Sequence, residues 1–303
     1  MRNVLKFGDY VSLFEGGAAI KESRRIKESE VPKTMESIKE ILFPLLGGGE
    51  VDKEYLIIGS IGKKKDQNDT SGDIDLGIDK KFLSKKLGVS EDDVLGALYK
   101  NLSETLHNKL GFVPDMKLMR GINVLSIGWP IEGDAENGIV QLDLIPISDM
   151  EWAKFIFYSP DYRKNESKYK SAHRNWLFQA ILSALKEVIS KDENGELEDF
   201  YSYALRLSDG IYKNKKSFRG ATKRLKSPKT VKGKSTLVTR DPDEFVEMMF
   251  GGGIKKEDLK SFEDAWKLVS SPNFVHADKR DEIRDDLERY LTNGGFEIPT
   301  EIK

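Results

Sequence analysis

The sequence DIDLGI at residues 73–78 alternates polar and apolar side chains. This alternation predicts a half-buried strand, and because side chains two positions apart share a face, Asp73 and Asp75 lie on the same side of it. Upstream, the apolar run YLII at residues 55–58 is followed by Gly-Ser at 59–60, which predicts a buried strand that enters a tight turn. The two strands place a tight turn and a pair of carboxylates in the same domain.

A third carboxylate, Asp143, stands between Leu142 and Leu144 in an apolar stretch that predicts another strand over residues 139–145. Carboxylates that converge from buried strands repel one another, so they cannot all stay ionised without a counter-charge. Two divalent cations supply that charge, and ligands that are all oxygen favour Mg²⁺ or Mn²⁺, the arrangement used for in-line nucleotidyl transfer. An isolated Asp-x-Asp is typical of a solvent-facing strand, but the nearby Gly-Ser pair and Asp143 favour the metal site.

Three short motifs, IGS at 58–60, DIDL at 73–76 and LDL at 142–144, together resemble the pattern of the polymerase-β-type nucleotidyltransferase superfamily. The resemblance covers roughly residues 32–150, and it is specific as a triplet although each motif alone is weak. It implies a metal-dependent transferase that moves a nucleoside monophosphate from an NTP, such as ATP, to a hydroxyl acceptor and releases pyrophosphate.

The resemblance also implies roles for single residues. Asp73 and Asp75 would bridge both metal ions, while Asp143 would hold only the catalytic ion and help to deprotonate the acceptor hydroxyl. The backbone at Gly59 and the hydroxyl of Ser60 would hold the triphosphate of the incoming nucleotide.

One departure from the superfamily pattern follows the Gly-Ser pair. Relatives often carry Gly or Arg there and then Thr, whereas this chain continues IGKKK over residues 61–65. The triphosphate contacts are therefore expected to come from lysines, and Lys63 is a predicted nucleotide-binding residue beside Gly59 and Ser60.

The expected fold class is α+β. We expect residues 1–150 to form a nucleotidyltransferase catalytic domain with a short mixed β-sheet flanked by helices. Residues 151–303 are expected to form a mainly α-helical domain that binds the substrate or acceptor.

The hydrophobic periodicity predicts the main elements of both domains. Helices are predicted over 32–46 and over 90–110, the second one capped by Ser90, and strands 123–129 and 139–145 are predicted to form a hairpin. In the second domain, the spacing predicts helices over 171–190, 197–207, 241–250, 256–269 and 278–291.

Charge is distributed unevenly along the chain. Residues 1–150 hold 20 basic and 25 acidic side chains, whereas residues 151–303 hold 29 basic and 26 acidic ones. The basic excess lies in the segment from Lys213 to Arg240, which has 11 Lys or Arg residues and no acid. Such a segment, with aromatic side chains interleaved, can bind a nucleic-acid backbone by counterion release, and a solvated loop is the equally weighted alternative.

The basic segment makes the 3′ end of an RNA the first choice of acceptor, in the manner of template-independent tRNA or poly(A) nucleotidyltransferases. Lys223, Arg224 and Lys226 are the predicted acceptor-binding residues. Two alternatives remain within the superfamily: a synthase that joins nucleotides into a linear or cyclic second messenger, and a toxin or resistance enzyme that modifies a tRNA, a protein or a small molecule. A nucleic-acid-binding module with an inactive site is the alternative outside enzymes.

The composition is that of an ordinary globular protein, with 33% charged and 38% hydrophobic residues in a chain of 303. The chain has no cysteine, which excludes disulfide scaffolds, thiolate zinc sites, thiol nucleophiles and iron–sulfur clusters. The absence of cysteine fits a cytoplasmic protein. The longest apolar stretch, Trp176 to Leu185, is too short and too polar to span a bilayer, so a chain that does not cross a membrane is expected.

Overall fold

The computed structural model describes residues 19–191, 193, 196–218 and 229–302, and within these ranges the fold is α+β. The chain divides into two compact units, one ending at Ser171 and the other starting at Ala172. The boundary predicted at residue 150 falls inside the first unit.

The first unit contains seven strands and four helices within the described residues. In chain order they are β1 (Ile26–Lys27), α1 (Val31–Leu45), β2 (Tyr55–Ile58), β3 (Thr70–Ser71), β4 (Asp73–Asp79), α2 (Lys80–Leu87), α3 (Val94–Leu110), β5 (Met116–Met119), β6 (Val124–Pro130), β7 (Ile139–Ile147) and α4 (Met150–Ile156).

Five of these strands form one mixed sheet in the order β2-β4-β7-β6-β5. Strands β4 and β7 are parallel, and the other neighbours are antiparallel. The predicted mixed sheet is confirmed, as is the hairpin of β6 and β7. The short strands β1 and β3 pair separately beside it.

The predicted start of the helix over 90–110 is wrong. The helix α3 begins at Val94, and its N-cap position is Asp93. The Ser90 hydroxyl donates to the Asp93 carboxylate at 2.7 Å instead of accepting a bond from a helix amide. Ser90 therefore stabilises the turn that precedes the helix rather than capping the helix itself.

The two faces of the five-stranded sheet pack against different helices. On one face, Ile74 and Leu142 belong to a large buried cluster with apolar side chains of α1 and α3. Burying one such side chain contributes about 1.5–3 kcal/mol. On the other face, Ile145 packs in a smaller cluster with Ala153 of α4. Since side chains alternate along a strand, the acidic residues of β4 and β7 lie on this second face.

The second unit combines helices with a sheet. Its elements are α5 (Ser171–Ala184), β8 (Glu187–Lys191), β9 (Leu197–Arg206), β10 (Gly210–Ser217), β11 (Lys229–Thr239), α6 (Pro242–Phe250), α7 (Phe262–Val269) and α8 (Arg280–Asn293). The four strands form an antiparallel sheet in the order β11-β10-β9-β8. In the described ranges, no helix has both the length and the apolar character needed to cross a membrane.

The prediction of a mainly helical domain over 151–303 missed this sheet. Residues 197–207 have apolar side chains at helical spacing, but they form strand β9. Phe200, Tyr201 and Tyr203 are aromatic residues that favour strands, and pairing with β8 and β10 overrides the helical spacing.

Two other predicted helices of this unit are shorter than expected. The helix predicted over 171–190 ends at Ala184, and the chain then enters β8. The helix predicted over 256–269 is interrupted, because Ser261 accepts a bond from the Asp264 amide and starts α7 anew.

Candidate active site

Three carboxylates meet on one face of the five-stranded sheet. Asp73 and Asp75 are two residues apart on β4, and Asp75 is directly opposite Asp143 in the parallel register with β7. Each of the three offers an oxygen atom, and these oxygens all lie within 4.8 Å of one another. The structure therefore brings together the three acids that were singled out in the sequence.

The surroundings of Asp75 and Asp143 disfavour the charged forms of these two acids. The pKa of Asp75 is raised well above its ordinary value, chiefly by burial and further by the charges of Asp73 and Asp143. Burial also raises the pKa of Asp143, while the nearby Ser126 hydroxyl and the hydrogen bonds from Gln141 act in the opposite direction. Without a bound cation, the negative charges of these acids repel one another and are poorly solvated.

The donor set fits a hard divalent cation. All three groups are carboxylates, the ligand type that Mg²⁺ and Mn²⁺ prefer. In addition, Oδ1 of Asp75 is buried and has no hydrogen-bond partner among the described residues. A buried carboxylate oxygen in that state is costly, and a cation shared with the neighbouring acids would satisfy it.

The Gly-Ser turn lies beside the acids. Strand β2 ends at Ile58, which is directly opposite Asp75 on β4. Gly59 follows with a φ of +77°, a conformation that favours glycine, and a Cβ atom at this position would stand 3.2 Å from Oδ2 of Asp75. Because Gly59 has no side chain, its backbone can lie close to the Asp75 carboxylate. Ser60, which is half-buried, follows it in the chain.

The lysines after the turn contact a segment near the end of the first unit. The Lys63 ammonium donates to the Ser159 carbonyl at 2.9 Å and lies 5.4 Å from the centre of the Tyr158 ring. The Lys64 ammonium lies 5.3 Å from the centre of the Tyr162 ring. Burial lowers the pKa of both lysines. The loop thus holds partly desolvated cations close to the Gly-Ser turn in sequence.

Glu28 is a buried acid next to this loop that the sequence did not reveal. Burial raises the pKa of its carboxyl, while the backbone amides of Lys64 and Gly62 and the Lys64 charge act in the opposite direction. Its Oε1 is buried and has no hydrogen-bond partner among the described residues. Nothing in the local sequence marks Glu28, because its neighbour in space is a loop more than thirty residues later.

Gln141 is a second residue that sequence reasoning missed. Its side-chain amide donates to both oxygens of Asp143, at 3.1 and 3.0 Å. Here a signal was available, since Gln141 stands two positions before Asp143 on one strand and therefore shares its face.

The predicted acceptor-binding residues Lys223, Arg224 and Lys226 lie outside the described residues. The described part of the basic segment includes β10, where two lysines have acidic partners. Lys213 pairs with Glu187 at 2.6 Å, and Lys215 pairs with Asp199 at 3.4 Å.

A comparison of the chain with protein families, curated proteins and solved structures finds no match in any of the three.

Proposed function

We propose that this chain is a metal-dependent nucleotidyltransferase that moves a nucleoside monophosphate from an NTP to a hydroxyl group and releases pyrophosphate. The observation that carries the proposal is the convergence of Asp73, Asp75 and Asp143 from two parallel strands, with ligand oxygens within 4.8 Å of one another. The Gly-Ser turn beside Asp75 also supports the proposal, since this pair is one of the motifs on which the resemblance rests.

In the proposed reaction, an acceptor oxygen forms a bond to the α-phosphorus as the bond between that phosphorus and the bridging oxygen of pyrophosphate breaks. Asp73 and Asp75 would hold two divalent ions, and Asp143 would hold one of them. Bound Mg²⁺ or Mn²⁺ supplies charge neutralisation at the α-phosphate and lowers the pKa of the attacking hydroxyl. Asp143 is placed in this scheme to accept the proton that leaves the hydroxyl.

The phosphates of the NTP are assigned to the loop after β2. The backbone at Gly59, the Ser60 hydroxyl and the Lys63 ammonium are the donors we propose. An ammonium has three N–H donors, and Lys63 uses one on the Ser159 carbonyl. Its partial desolvation strengthens the attraction to a phosphate, because charges interact more strongly where water is excluded.

Our first proposal for the acceptor is the 3′ end of an RNA, supported by the 11 cations between Lys213 and Arg240. One observation favours a second acceptor class. Lys213 and Lys215 are already neutralised by Glu187 and Asp199, so they contribute little to recruiting a polyanion. A transferase that joins nucleotides to each other, or that modifies a small molecule or a protein, needs no such recruitment.

The test is incubation of the full chain with each labelled NTP and Mg²⁺ or Mn²⁺, with total RNA, with protein or with no acceptor. Label in RNA supports the first acceptor, label in small products without an added acceptor supports nucleotide joining, and label in protein supports protein modification. Asp75→Asn is the matched inactive variant, since it removes ligand charge at nearly constant volume. If the label moves equally well with this variant, or if no NTP releases pyrophosphate, the proposed function is wrong.

A further inference from the structure

Gln141 connects the third carboxylate to a distant part of the chain. It lies on β7 two residues before Asp143 and is only 1% exposed. Its Nε2 donates to both carboxylate oxygens of Asp143, at 3.1 and 3.0 Å. The carboxylate is thus held at both oxygens by one side chain of its own strand.

The opposite end of the Gln141 side chain is fixed by the backbone. Its Oε1 accepts from the amides of Ala19 at 2.8 Å and Ile20 at 3.2 Å. A rotated amide would turn its oxygen toward the Asp143 carboxylate and its NH₂ group toward two other N–H donors. Only one orientation of the amide satisfies all its neighbours, and in that orientation the N–H groups face Asp143.

The segment that anchors Gln141 is itself tied to the sheet. The Arg24 amide donates to the Ile139 carbonyl at 2.7 Å, and the Arg24 guanidinium donates to the Asn137 carbonyl and to Glu30. The Ile20 side chain is 2% exposed. The two amides that hold Gln141 therefore belong to a packed part of the chain.

We propose that Gln141 is the positioning residue of the acid cluster, which holds the Asp143 carboxylate in place opposite Asp75 and links that geometry to residues 19–24. This inference rests on the proposed function, because it assigns the carboxylates to a divalent cation. Groups that orient a metal ligand through hydrogen bonds typically change metal affinity by 10–100-fold when they are lost. The hydrogen bonds from Gln141 are of this kind. Asp143 is the proposed metal ligand, and Gln141 offers only N–H donors to its carboxylate.

The experiment measures Mn²⁺ binding to the full chain by electron paramagnetic resonance of the free ion, with the folded fraction of each sample followed by circular dichroism. Gln141→Met keeps the length of the side chain and removes its amide. The matched control is Ser37→Ala, which removes the acceptor of the Trp129 indole N–H at 3.0 Å on the opposite face of the sheet. We expect Gln141→Met to weaken Mn²⁺ binding about 10–100-fold, while the folded Ser37→Ala variant binds as the parent does.

Gln141→Asn is a second, milder variant, because it keeps the amide but is one methylene too short to span Ile20 and Asp143. Gln141→Asn should also weaken Mn²⁺ binding. It replaces Gln141→Met in the test if the methionine variant does not fold. Parental Mn²⁺ affinity in both Gln141 variants, together with lost binding in Asp75→Asn, would overturn the role of Gln141 and leave the metal site standing. Parental affinity in Asp75→Asn would overturn the metal site and this inference with it.

Discussion

Asp75 of β4 and Asp143 of β7 occupy directly opposed positions on neighbouring parallel strands. Neighbouring strands are about 4.8 Å apart, so two opposed side chains on the same face of the sheet lie close to each other. Asp73 lies on the same face, and the three acids share one small volume. Their proximity costs free energy while no cation is bound and favours a divalent ion when one is available.

The first prediction concerns thermal stability with and without metal. Mn²⁺ or Mg²⁺ should raise the melting temperature of the parent chain, because a ligand at 100 times its Kd stabilises the folded state by about 2.7 kcal/mol. Asp75→Asn should lose most of this increase. Differential scanning fluorimetry in EDTA and in excess Mn²⁺ measures both.

Asp92→Asn is the control for this measurement, since it makes the same chemical change at an exposed acid in the turn before α3. It should keep the full response to Mn²⁺. An equal response in Asp75→Asn and Asp92→Asn would place the bound ion elsewhere on the chain.

The second prediction concerns pH in the presence of EDTA. Burial and neighbouring acids raise the pKa of Asp75 in the folded chain, so the folded state keeps a proton that the unfolded state has released. The free energy of unfolding from this group is therefore greatest below the unfolded pKa of about 3.9 and falls as pH rises through the folded pKa. Asp75→Asn lacks this loss, so its melting temperature should exceed the parent's by a margin that grows from acidic to neutral pH. A margin that is constant with pH would contradict the electrostatic account.

The positions of several strands were predictable from the local sequence, whereas much of the strand pairing was not. The alternation in residues 73–78 and the apolar run at 55–58 both predicted strands that the structure contains. Strand β9 was misinterpreted because its apolar residues also fit a helix, and only pairing with β8 and β10 decides between the two. Strands β8 and β10 are close to β9 in sequence, but the periodicity of residues 197–207 alone does not show that this stretch pairs with them.

The same division applies to the site. Asp73, Asp75 and Asp143 were identified from motifs, because carboxylates in apolar strands are unusual enough to be noticed one by one. The direct opposition of Asp75 and Asp143 depends on the register of β4 and β7, which the motifs do not specify. Glu28 is near the loop at Gly62 only through the fold, so no local pattern indicated it.

The third prediction concerns the basic segment and RNA. If Lys223, Arg224 and Lys226 contact phosphates, RNA affinity should fall steeply with salt, with a log–log slope of about −0.7 per phosphate on a single strand. Replacing all three by Ala should flatten the slope by about two units. Transfer to a small acceptor should survive this change. A parental salt slope in the triple variant would favour the solvated loop and the small-acceptor function.

The fourth prediction concerns nucleotide binding by the loop after β2. Ser60→Ala should weaken NTP binding by about 1.5–3 kcal/mol, the contribution of one hydrogen bond to a charged group, and Lys63→Met should weaken it at least as much. Lys65→Met is the control, since Lys65 is exposed and its ammonium donates to Asn165 at 2.6 Å. Isothermal titration with an NTP and Mg²⁺ gives the affinities. Equal affinity in Ser60→Ala and the parent would make Gly59-Ser60 a purely structural turn.

The last prediction compares Gly59, which lies next to the Asp75 carboxylate, with Gly62, which does not. Gly59 and Gly62 have nearly the same positive φ, +77° and +75°. Alanine at either position should destabilise the chain by about 1–2 kcal/mol, because the left-handed conformation brings Cβ too close to the following carbonyl oxygen. A Cβ at Gly59 would stand 3.2 Å from Oδ2 of Asp75, whereas no described atom lies within 4 Å of one at Gly62.

Gly59→Ala should therefore weaken Mn²⁺ binding as well as stability, while Gly62→Ala should lower stability alone. The comparison removes the backbone penalty, which both variants share, and leaves the effect of the new methyl group on the Asp75 carboxylate. Chemical denaturation gives the free energy of unfolding, and titration of free Mn²⁺ gives the metal affinity. If both variants bind Mn²⁺ as the parent does at equal folded fraction, the close approach of Gly59 to Asp75 has no part in forming the metal site.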